Sequence, residues 1–95
     1  METLFITTAL SEYLQKNGLE FLLEIIRSMQ DVYIVSEEKF QVWKFRRVVN
    51  ENFVLELQDG SKTIILNLFY TSQYINIDSL EMWFENSTLF FPTER

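Results

Sequence analysis

Carboxylates are the reactive side chains this chain holds in quantity: fourteen Asp and Glu stand against eight Lys and Arg, with no His and no Cys, for a net charge of −6. Carboxylates do chemistry as pairs held in a cleft or as clusters around a cation. Neither arrangement shows in the spacing. The acids are scattered, and the adjacent pair Glu37-Glu38 belongs to a polar stretch, Ser36 to Lys39, that reads as a solvated turn. The absence of His and Cys removes the commonest proton shuttle and the thiolate. Gly18 and Gly60 are the only glycines, too few for a phosphate-cradling loop. No catalytic residue, no cofactor-binding residue and no metal ligand is therefore expected, and the chain reads as a non-enzyme. Asn86-Ser87-Thr88 fits a glycosylation acceptor, but Met1-Glu2 opens the chain without a basic leader, so the match reads as chance.

Charge is distributed unevenly. Residues 1–38 carry seven acids and two bases, residues 39–50 carry four bases (Lys39, Lys44, Arg46, Arg47) and no acid, and residues 51–95 carry seven acids and two bases. An acidic chain lacks the clustered cations that displace counterions from a phosphate backbone, so direct nucleic-acid binding is not expected. Glu12, Glu20 and Glu24, on the leading helices, are placed to present negative potential to a basic partner.

The elements that must position these groups are organised around residues 53–70, FVLELQDGSKTIILNLFY. Two alternating runs flank Asp59-Gly60, a dipeptide suited to a two-residue type I′ turn. That turn sets Leu55 opposite Ile64 and Val54 opposite Ile65. The preceding run, residues 40–49, docks with a three-residue loop Asn50-Glu51-Asn52, which sets Arg46 opposite Glu56 and Phe45 opposite Leu57. The apolar face then holds Trp43, Phe45, Val49, Phe53, Leu55, Leu57, Ile64, Leu66 and Leu68. On the second face Val48, Val54, Ile65 and Phe69 gather at the end away from Asp59-Gly60. That half-apolar patch is either covered by the C-terminal segments or exposed for binding.

Ile6, Ala9, Leu10, Tyr13 and Leu14 recur at helical spacing, as do Leu19, Leu22, Leu23, Ile26 and Met29 in a different phase. Two helices meeting at Asn17-Gly18 are predicted, with Gly18 in a left-handed cap. Residues 31–35, DVYIV, read as a strand, and residues 74–77 as a possible edge strand. Asp78 and Glu81 suit a capping box, with Leu80, Trp83 and Phe84 along one face, so a short C-terminal helix ending near Asn86 is predicted. Leu89-Phe90-Phe91 should dock rather than float.

The 95 residues make one domain, and 47% of them are hydrophobic. No run approaches the roughly 20 apolar residues of a membrane span, and the cytosol is the expected compartment. The fold expected is α+β: two N-terminal helices packed on one face of an antiparallel β-meander of three to five strands, plus the short C-terminal helix. The function expected is non-catalytic protein binding, most concretely a small acidic inhibitor or regulator of a basic nucleic-acid-handling protein, of the kind phages and bacteria use against nucleases and defence systems. The alternative is a structural or accessory subunit that self-associates, as a homodimer for instance, through an edge strand or the apolar patch.

Overall fold

The computed structural model describes residues 3–95. Its secondary structure begins with β1 (Phe5–Ile6), α1 (Thr8–Lys16), α2 (Glu20–Met29) and α3 (Tyr33–Ser36). There follow β2 (Phe40–Val49), β3 (Asn52–Gln58), β4 (Ile64–Thr71), β5 (Ser79–Glu85), β6 (Thr88–Phe90) and a 3₁₀ turn at Pro92–Glu94. The fold is α+β, with three helices and a mixed six-stranded sheet of order β1-β6-β5-β2-β3-β4. Every pairing is antiparallel except β1 with β6. Strands β2 to β5 form a Greek key, because β4 returns across the end of the sheet to place β5 beside β2. No helix among the described residues is long and apolar enough to cross a membrane.

All three helices lie on one side of the sheet. Leu10 and Leu14 of α1, Leu22 and Ile26 of α2, and Val35 of α3 are buried in one cluster with Trp43, Phe45, Phe53, Leu55, Leu57, Leu80, Met82 and Leu89 of the strands. Phe45 stacks on Phe53 with ring centroids 5.0 Å apart, and Phe21 meets Phe45 edge-on at 6.0 Å. Between the first two helices Gly18 adopts φ 66°, the left-handed cap expected there.

Residues 78–86 do not form a helix. The segment holds two periods at once, and the two-residue one prevails: Leu80, Met82 and Phe84 face the core while Glu81, Trp83 and Glu85 face away. Asp78 does not cap; its Oδ1 accepts from Arg47 Nε at 3.0 Å. Residues 33–36 form a helical turn rather than a strand, because Val35 inserts into the core and its carbonyl accepts from the buried Gln41 amide at 3.0 Å. Residues 74–77 form no strand and belong to the crossing.

The hairpin registers also differ from expectation. Asp59-Gly60 is not a type I′ turn: Asp59 Oδ1 accepts from the backbone N–H groups of Ser61 (2.8 Å) and Thr63 (3.0 Å), and Lys62 takes the positive φ of 69°. A Cβ at Gly60 would lie 3.3 Å from the Phe40 ring, a tight contact that the ring would have to relieve by a small shift. A bulge at Ile65 then pairs Leu57 with Leu66 and Gln58 with Ile64, turning Ile65 toward the core and leaving Ile64 53% exposed. A second bulge at Val48 leaves a two-residue connection, Asn50-Glu51, and exposes Val49. Arg46 therefore lies opposite Val54, and Lys44 opposite Glu56. The type I′ geometry occurs instead at Asn86-Ser87, with φ of 54° and 61°, between β5 and β6.

Arg47 holds the crossing segment, residues 72–78, to the sheet. Its backbone N–H donates to the Asp78 carbonyl at 2.8 Å, and its Nη2 donates to the carbonyls of Ile75 at 2.9 Å and Ile77 at 3.3 Å. Nη1 donates to the Asn50 carbonyl, and the guanidinium lies 4.6 Å from the Phe53 ring centroid.

Two stability outcomes follow. In denaturant titrations Leu55→Ala should cost about 2–4 kcal/mol as a core truncation, whereas Ile64→Ala should stay within about 0.5 kcal/mol; equal losses would refute the bulged register. Arg47→Lys keeps the charge but loses the planar fork, and should cost about 1–3 kcal/mol. An unchanged midpoint would show that the crossing does not need the clamp.

Candidate functional site

Two concavities stand out on the surface of the described residues. The larger, about 610 Å³, opens where α2 ends and is lined by Arg27, Gln30, Asp31, Lys39, Gln41 and the Asn86-Ser87 turn, among others. Its floor is structural. Gln41 is buried, and its Oε1 accepts from Gln30 Nε2 and Trp43 Nε1, both at 2.9 Å. Its Nε2 donates to Gln30 Oε1 at 2.9 Å, to the Val35 carbonyl at 3.0 Å and to the Glu38 carbonyl at 3.2 Å. Both ends of this amide are thus engaged in tying α2 and α3 to β2. Among the described residues no buried side-chain N or O lacks a partner, and no three acids are placed to share a metal ion.

The smaller concavity, about 290 Å³, lies between the two long helices. Leu14, Phe21 and Leu23 give it apolar lining, and Ser11, Gln15, Glu20 and Glu24 supply polar groups. Glu20 and Glu24 are exposed and lie one turn apart on α2, and Glu24 pairs with Arg27 at 2.7 Å. An apolar floor with carboxylates at its rim has the chemistry to take a Lys or Arg side chain, whose methylene stem would lie on Phe21 and Leu23 and whose head would meet the acids.

Of the residues singled out from sequence, Glu20 and Glu24 share this groove. Glu12 is exposed on α1 but does not line it. The other four are dispersed. Val48 is exposed in its bulge, Ile65 packs against the core, and Val54 is buried beside its cross-strand neighbours Arg46 and Phe69. Phe69 is 80% exposed. The segment containing Leu80 and Trp83 lies within the sheet as β5, so it does not cover the second face. At one corner of that face Arg95 sits 4.7 Å from the Phe40 ring centroid, and Trp83 Nε1 donates to Glu81 Oε2 at 2.8 Å. Ser11, Gln15, Phe21 and Leu23 escaped the sequence reading as groove residues. The i, i+4 spacing of Ser11 and Gln15 was the available signal, but it does not reveal which face of α2 lies opposite.

These features define an α+β domain whose mixed sheet is covered by helices on one side only. The chain belongs to DUF6876, a family of unknown function, which it matches over residues 1–95. No curated protein and no solved structure matches it.

Gln41→Leu tests the reading of the larger cleft. Stranding the buried Trp43 indole N–H and removing the paired amide contacts to Gln30 should lower stability by about 1–3 kcal/mol. A neutral result in thermal melting would mean that this amide is free for a ligand.

Proposed function

We propose that this chain is a non-catalytic protein-binding domain, a small acidic inhibitor or regulator of a basic, nucleic-acid-handling protein. The observation that carries the reading is the segregation of charge between layers. Residues 3–38, which supply all three helices, hold six acids and two bases, a net −4; residues 39–95, which supply β2 to β6, hold seven acids and six bases, a net −1. A one-sided field of this kind steers a basic partner toward the helices and repels phosphate backbones. The groove between α1 and α2 then offers a seat for one Lys or Arg of that partner, with Glu20 and Glu24 as its anionic contacts.

The test is capture from the native host at low and moderate salt followed by mass spectrometry, with wild type and the Glu20→Lys/Glu24→Lys double variant in parallel. Wild type should retain a basic protein at low salt and lose it as salt rises. The double variant should stay folded, melting slightly below wild type because it loses the exposed Glu24–Arg27 pair and the acid in the first turn of α2, and should associate with that protein about tenfold more slowly or worse. Equal retention by both forms, or retention insensitive to salt, would overturn the reading.

A further inference from the structure

The six-stranded sheet has two ends, and they differ. At one lies β1, two residues long; at the other lies β4, eight residues long and bonded to β3 alone. A long open edge presents unpaired backbone N–H and C=O groups, and sheet proteins ordinarily guard such edges with Lys, Pro or inward-pointing charge. On this edge the bulge at Ile65 lies near the start of the strand, and beyond it no charge or proline interrupts the strand. From Thr63 to Ile77 the chain contains no charged residue, no proline and no glycine.

Apolar groups flank the edge on both sides. On the uncovered face Ile64 and Phe69 are exposed; on the helical face Leu66 and Leu68 are half-buried, and behind them the core ends in half-buried Phe21 and Ile25. The core therefore runs out to the edge without a polar margin.

We propose that β4 is the pairing edge of a homodimer, in which it joins the same strand of a second copy antiparallel across a two-fold axis, so that two sheets become one of twelve strands. Charge selects this occupant. Each copy carries −6, so an isologous contact through the acidic helical layer would set like charges against each other, whereas β4 lies within the longest uncharged stretch of the chain. A basic partner gains nothing electrostatic from that stretch and is drawn to the helical layer instead. Size is consistent with a reversible dimer. Eight residues at about 3.4 Å make a wall about 27 Å long, and with a sheet and helix layer about 20 Å deep the contact is roughly 500 Å² per subunit, the lower end of specific interfaces. Antiparallel pairing of like faces about a two-fold axis centres on Asn67 or Leu68, and either choice puts Asn67 at or beside the axis.

Sedimentation velocity over a concentration series tests this, with Asn67→Lys and Asn67→Glu as paired variants. Asn67 is exposed but lies opposite Glu56, so Asn67→Lys should melt at or above wild type and Asn67→Glu somewhat below it, and both are compared at a temperature where each is folded. Wild type should shift from 11.4 kDa toward twice that mass as concentration rises. Each variant alone should need at least about tenfold more protein to dimerise, because like charges meet near the axis, and an equal mixture of the two should regain wild-type association. The Glu20→Lys/Glu24→Lys variant should dimerise as wild type does, which separates this surface from the acidic groove. A wild type that stays at 11.4 kDa at every concentration, a dimer indifferent to both Asn67 variants, or a mixture that stays monomeric would overturn the proposal.

Discussion

The guanidinium of Arg47 is the interaction on which the arrangement of strands turns. A Greek key requires a segment to cross the end of the sheet, and the carbonyls of that segment have no ladder to join. Arg47 supplies the missing donors: one planar fork reaches Ile75, Ile77, Asn50 and the Asp78 carboxylate, while Phe53 supports its face. With the crossing held, Ile75 drops into the core and Ser79 enters the sheet opposite Arg46. From that pairing β5 runs antiparallel to β2, and β6 and β1 follow outward from it. The helices then have one continuous apolar surface to cover, and they cover that one alone.

Much of this was legible in the residues. Trp43, Phe45, Phe53, Leu55 and Leu57 alternate cleanly, and all five are buried as expected. The break at Asn17-Gly18 marks the meeting of two helices because glycine takes that φ at the least steric cost. What was not legible has physical causes. In Ser79–Glu85 the helical and strand periods both fit, and the choice falls to a tertiary event, the capture of Asp78 by Arg47. Bulges at Val48 and Ile65 each absorb one residue, and a bulge leaves no trace in an alternating pattern until both partners are known. Val32, Tyr33 and Ile34 have strand propensity, yet a single buried neighbour, Val35, holds the turn helical. The candidate site was legible only as charge: Glu20 and Glu24 announce an acidic helix, whereas the apolar floor beneath them depends on how α1 crosses α2.

The two sides of the molecule thus differ in kind. The helical layer is acidic, and its groove pairs carboxylates with Phe21 and Leu23. The far end of the sheet is neutral and open, with Phe69 exposed on the face away from the helices. Phe21 links the two regions, lining the groove while its ring stacks on Tyr70 of β4 with centroids 4.4 Å apart. Both surfaces draw on α2, one through its charges and the other through its aromatic ring.

Residue-resolved amide hydrogen exchange on dilute protein tests the underlying architecture most directly. With β2 and β5 interior and β4 at an open edge, amides of residues 42–47 and 80–84 should be among the slowest to exchange, and those of 66–70 should alternate between slow and fast along the strand. Rapid exchange throughout residues 80–84, or protection at every residue of 66–70 in the monomer, would contradict a Greek-key sheet that ends at β4.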